Sequence, residues 1–136
     1  MKKTEFKLEL IDYRNDDGDE SGATLRNKFV IMTHRDIAAL VMGPVTRYPY
    51  HAALLERYCI DNKIPASWAH KPDLLEIFDR EVQLKGGGLL DIYPQDKILK
   101  IYGFSSAYGP YSSDYLKKFI NGHPFFTPFS VRVKVL

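Results

Sequence analysis

The chain opens on an alternation. Over residues 4–13, Phe6, Leu8 and Leu10 fall on one face and Lys7 and Glu9 on the other, which predicts a half-buried strand. The polar run Asn15 to Gly22 predicts a mobile hairpin loop after it. A second strand is predicted at Lys28 to Met32. The type of the segment Arg35 to Met42 is not fixed by its pattern, and Gly43-Pro44 breaks it. From Pro49 to about Asn62 the period changes to that of a helix, with Leu54, Leu55, Tyr58 and Cys59 in one apolar stripe and Pro49 suited to the first turn. His51 precedes Leu55 by four residues and Tyr58 by seven, so it projects from the first turn on the side of that stripe.

Further along, Pro65 to Lys71 reads as a connector carrying Trp68, and Asp73 to Phe78 as a short helix after Pro72. Gly86-Gly87-Gly88 leads to two strands, Leu89 to Tyr93 and Lys97 to Phe104, in a hairpin around Pro94-Gln95-Asp96. A last helix spans about Ser112 to Asn121, stopped by Gly122 and Pro124. Val131, Val133 and Val135 then alternate with Arg132 and Lys134 in a final strand. Interleaved strands and helices of this kind predict an α/β fold, a single mixed β-sheet flanked by helices, in one domain over residues 1–136.

Length and composition fit that picture. A chain of 136 residues buries roughly two-thirds of its unfolded surface, enough for a core without staples. Hydrophobic residues at 45% mark a globular chain. The net charge of +2, with both signs mixed along the sequence, is not the footprint of a nucleic-acid binder. The single cysteine, Cys59, excludes an internal disulfide and a multi-cysteine metal site. Met1-Lys2-Lys3 is not followed by a signal-peptide core, and no apolar run approaches ~18 residues, so a cytoplasmic protein with no membrane partner is expected.

Candidate chemistry gathers at two places. The stretch Tyr102 to Pro110 leaves a strand, passes through Ser105, Ser106 and Ala107, and feeds a helix. Free backbone N–H groups near a helix N-terminus bind anions. A plain strand-to-helix turn that needs small residues for packing accounts for the spacing more simply. His51, in a helix's first turn, feels the positive end of the dipole, which disfavours imidazolium and leaves a general base. A histidine merely hydrogen-bonded at a helix start fits the pattern equally well. The glycine triplet lacks a Gly-Lys-Ser/Thr ending and reads as a flexible strand entry or a bulge. His34, His70 and His123 are scattered and read as surface or loop residues, with no metal-ligand spacing.

From about Asn27 to Asn121 the chain resembles the protein-histidine phosphatases of the Janus/ocnus family. The ordered match runs through Gly86-Gly87-Gly88, Gln95-Asp96-Lys97 and Tyr102-Gly103-Phe104-Ser105-Ser106-Ala107-Tyr108-Gly109-Pro110. Upstream, Lys28-Phe29-Val30 resembles the family's lysine-bearing strand and Tyr50-His51-Ala52 the start of its catalytic helix. The resemblance implies His51 as the active-site residue, Lys28 as a phosphate contact, and Ser105, Ser106 and Ala107 as a backbone phosphate cradle. A member of the family carries arginine right after the triple glycine and eight residues before the histidine, where this chain has Leu89 and Gly43. Arg47 is the nearby cation that could serve for the second. The stretch Pro65 to Lys85 is longer than in that member.

The function expected on these grounds is hydrolysis of phosphohistidine or a related phosphoramidate, with no metal and no cofactor. Expected partners are a phosphorylated protein or a small phosphoramidate, with the chain a monomer. The alternative is a non-catalytic module that binds a phosphate-bearing ligand through the same cradle.

Overall fold

The computed structural model describes residues 6–14, 26–69 and 74–134. Its elements in chain order are β1 (Lys7–Asp12), β2 (Arg26–His34), β3 (Ile37–Pro44), α1 (His51–Asp61), β4 (Ala66–Trp68) and β5 (Leu75–Ile77). They continue with β6 (Val82–Tyr93), β7 (Ile98–Tyr102), α2 (Ser113–Gly122), a 3-10 turn (Pro124–Phe126) and β8 (Ser130–Val133). Strands dominate, with two helices beside a mixed six-stranded sheet of order β1-β3-β2-β6-β7-β8. The inner pairs are antiparallel and the two edge pairs, β1 with β3 and β7 with β8, are parallel. Among the described residues, no helix is long and apolar enough to cross a membrane.

Three expectations change. The segment whose pattern was ambiguous is β3, buried along Ala38 to Pro44. A strand covered on both faces loses the period of two that would announce it. It turns back on β2 through Arg35, which takes a φ of 59°. Because β1 pairs with β3, from Lys7 opposite Ile37 to Asp12 opposite Met42, the first two strands form no hairpin with each other. The expected loop at 15–22 lies outside the described residues, as does His70. The expected short helix over 73–78 is instead β5, paired antiparallel with β4. Leu75 anchors it: the side chain is buried, and its backbone N–H and C=O both meet the Tyr108 hydroxyl, at 2.8 and 3.0 Å. The strand pairing with β4 and the long-range bond to Tyr108 override a local helical spacing.

Alternation along the strands sorts the core into two clusters on opposite faces of the sheet. Val30, Met32, Ala39 and Val41 pack with Ala52, Leu54, Leu55 and Tyr58 of α1. Phe29, Ile31, Leu40, Leu90 and Leu99 pack with Leu116 and Phe119 of α2. Lys28 therefore shares the α1 face with Val30. Its cross-strand neighbours are Gly43 and Leu89.

Candidate functional site

The site starts from an irregularity in the sheet. Val30 faces Gly87 and Met32 faces Leu84, so Lys85 and Gly86 together stand opposite Ile31. That extra residue is a β-bulge, one of the two readings the glycine triplet allowed. Gly86 carries it with a φ of 81°, and a Cβ there would lie 1.8 Å from the Pro110 carbonyl oxygen. Only glycine lets the chain at Gly109 and Pro110 lie directly on β6, where the Gly87 N–H donates to the Gly109 carbonyl at 3.2 Å.

On its other side, Gly87 makes room for His51. A Cβ at Gly87 would sit 2.4 Å from the Phe29 carbonyl oxygen and 2.9 Å from His51 Cδ2. With no side chain between them, the imidazole Nε2 reaches the Gly88 carbonyl at 3.0 Å. A carbonyl only accepts, so Nε2 carries the proton, and the neutral ring keeps its lone pair on Nδ1. The Nε2–Cδ2 edge lies against β6, which leaves Nδ1 on the opposite edge. Burial pushes the His51 pKa below its ordinary 6.5, the Lys28 ammonium adds to that, and the Gly88 bond opposes it. Burial also lowers the Lys28 pKa.

The turn after β7 closes on itself. Ser105 N–H donates to the Gly109 carbonyl at 3.2 Å, Gly109 N–H returns to the Ser105 carbonyl at 2.8 Å, and Tyr108 N–H donates to Ser105 Oγ at 3.1 Å. Ser105 is thus the buried brace of the turn, and its amide is not free for an anion. Among the described residues, nothing accepts from the N–H groups of Ser106 and Ala107. The turn also does not sit on a helix end as the sequence suggested, because α2 begins only at Ser113. The helix end that lines the cleft belongs to α1, whose N-cap, Tyr50, makes no side-chain capping bond.

These parts meet in one cleft of about 350 Å³. His51 and Lys28 line it together with Ser105, Ser106 and Ala107. The remaining wall is apolar, made by Pro49, Tyr50, Leu89 and Phe104. Arg47 is not brought in: it is exposed on the turn after β3, outside the residues that line the cleft. Nor is there space for a longer side chain at Gly43, where a Cβ would lie 2.6 Å from the Tyr48 ring. Asp91, on the same face as Lys28, leaves little free negative charge beside the cleft. Its buried carboxylate accepts from the Tyr102 hydroxyl at 2.9 Å and from Arg26 Nε at 3.2 Å.

Pattern reading missed Tyr108, which ties the turn to β5, and the Gly88 carbonyl, which selects the His51 tautomer. A run of three glycines signals close backbone approach, but it does not name what approaches. The other two histidines among the described residues lie outside the cleft. His34 Nε2 stands 3.3 Å from an Asp79 carboxylate oxygen, and His123 Nδ1 accepts from the Phe125 N–H at 3.2 Å. The Cys59 thiol is buried, and burial pushes its pKa up to about 11, so it is no thiolate nucleophile. Among the described residues, no three His, Cys, Asp or Glu side chains are grouped to hold a metal ion.

A comparison with curated proteins finds no match. A family model, Janus/Ocnus family (Ocnus), matches residues 2–123, a span that includes every residue lining the cleft. On that match, the chain belongs to the Janus/Ocnus family.

Proposed function

We propose that the chain is a hydrolase of phosphohistidine or a related phosphoramidate, acting through the His51 cleft without a metal. The observation that carries this reading is the meeting of a neutral imidazole, one lysine and two unengaged backbone amides in one cleft. Lys28 and the N–H groups of Ser106 and Ala107 hold the non-bridging phosphoryl oxygens as charge shifts in the transition state. His51 Nδ1 takes a proton from a water molecule while that water's oxygen bonds to phosphorus. The P–N bond breaks and its electron pair returns to the leaving nitrogen. A phosphoimidazole whose other ring nitrogen is protonated departs as neutral imidazole, so one general base suffices.

A second reading is favoured by the cation count. Among the described residues that line the cleft, Lys28 is the only cation. The cleft would then hold a phosphate-bearing ligand or protein without cleaving it. A phosphohistidine peptide incubated with the protein, with and without chelator, separates the two. Release of phosphate in both conditions supports the hydrolase. Saturable binding of an intact peptide supports the module.

A further inference from the structure

Two large hydrophobic side chains that the fold leaves in water stand on the wall of this cleft. Tyr50 is 48% exposed and Phe104 57% exposed. They come from different elements, the N-cap of α1 and the chain just after β7. Neither belongs to a core cluster among the described residues, and Tyr50 does not cap its helix through its side chain. Neither packing nor capping therefore accounts for two aromatic rings in the same cleft as Lys28 and His51. Leu89 and Pro49 add further apolar lining.

The lining thus has two chemistries. A lysine and backbone amides suit a phosphoryl group, and aromatic and aliphatic side chains stand beside them with no further cation among the described lining residues. A ligand that satisfies both joins a phosphoryl group directly to a planar ring. An N-phosphorylated imidazole protonated at its other nitrogen fits best. Its ring is flat and cationic, aromatic faces attract it, and a second positive side chain would repel it. A phosphoramidate of ammonia or an alkyl amine has no ring to stack.

We infer that Tyr50 and Phe104, with Leu89 beside them, form a leaving-group subsite that selects the protonated ring of a phosphoimidazole over ring-free phosphoramidates. The inference rests on the hydrolase reading above and names specificity residues for the same cleft. They touch the leaving group and take no part in proton transfer.

The test is the ratio of kcat/KM for phosphoimidazole to that for phosphoramidate, since intrinsic reactivity cancels when the same ratio is compared between variants. Tyr50→Ala and Phe104→Ala should each lower the ratio about 3- to 10-fold, and Phe104→Tyr should restore it. A ratio unchanged in both alanine variants overturns the subsite while leaving the hydrolase intact. If neither compound is turned over, the hydrolase reading fails, and titration of both compounds into the parent and Phe104→Ala proteins decides the subsite. Weakened binding of phosphoimidazole alone upholds it. Equal change for both compounds overturns it.

Discussion

The two helices begin in opposite ways. At α2, the Ser112 side chain accepts from the Tyr115 N–H, the Ser112 N–H donates to the Lys85 carbonyl at 2.8 Å, and Asp114 sits in the first turn. That end supplies its own acceptor and its own negative charge. At α1, Tyr50 supplies no capping oxygen, and the first turn carries no acid. Its positive end is uncompensated and lines the cleft beside Lys28 and His51. A helix end closed by its own residues serves stability, and one left open can serve a ligand. The difference also explains why the site faces α1, although the serine-rich turn precedes α2.

The largest effect expected from breaking this arrangement is at His51. His51→Ala should lower phosphohistidine turnover by about 10²–10⁴ while leaving the fold and most phosphate affinity intact. His51→Asn can keep the shape but cannot take the proton. The pH profile of the parent carries the same information. Burial lowers the His51 pKa below 6.5, so the acid limb of kcat/KM should lie below that value. Stability moves the same way. Between the ordinary pKa and the lowered one, the unfolded chain binds the proton more readily, so stability falls as pH drops through that window. Loss of the acid limb in His51→Asn, with stability less sensitive to pH, would tie both effects to this ring. Parental turnover in His51→Ala would remove it from the mechanism.

Next in size is the glycine that lets the imidazole approach β6. Gly87→Ala puts a methyl group 2.4 Å from the Phe29 carbonyl oxygen, which is backbone in a paired strand and cannot swing aside. Overpacking of this kind costs about 1–3 kcal/mol, read as a lower denaturation midpoint at unchanged m-value. The same methyl group displaces His51 Cδ2, so turnover should fall beyond the loss of stability. A variant that loses stability but keeps its turnover would show that the Gly88 contact does not position the ring.

What the sequence reveals and what it hides follow from how local each signal is. The α1 stripe lies within 11 residues, and His51 falls on the buried side of it as its spacing predicts. The β6–β7 hairpin and α2 with its stop at Gly122 are equally local. β3 was hidden because burial on both faces erases alternation. β5 was hidden because the Tyr108 hydroxyl, which engages the Leu75 backbone, is 33 residues away in sequence. The cradle was legible as a place but not as a set of bonds. Small residues at 105–107 announce a turn, whereas the engagement of Ser105 by Gly109 and Tyr108 depends on how the turn closes. Arg47 looked available because it is near in sequence, but the exposed turn leaves it outside the cleft.

A smaller effect, with two signs, is expected from closing the open helix. Tyr50 already has the extended backbone of an N-cap, with φ −127° and ψ 149°. Tyr50→Asp would accept from the Ala52 N–H, since the Ala53 N–H already donates to the residue 50 carbonyl, and gain roughly 0.5–2 kcal/mol of stability. The same carboxylate would occupy the positive end and repel an anion, weakening phosphate binding about 3- to 10-fold. Titration with inorganic phosphate and a denaturation curve read the two effects separately. Stabilisation with undiminished phosphate affinity would mean that the α1 end lies outside the anion's reach.

The smallest effect belongs to the closed helix. Ser112→Ala removes the acceptor for the Tyr115 N–H, a bond of 3.4 Å and so a long one. The Ser112 backbone bond to Lys85 and the acid at Asp114 both survive the change. The loss should therefore sit at the low end for an N-cap, about 0.5–1 kcal/mol. Phosphate affinity should not move, because neither Ser112 nor any other α2 residue lines the cleft. Measured beside Tyr50→Asp, this variant completes the comparison. One helix end should trade stability against ligand affinity, and the other should register stability alone. If Ser112→Ala weakens phosphate binding as much as Tyr50→Asp does, both helix ends act on the anion and the division of labour between them is wrong.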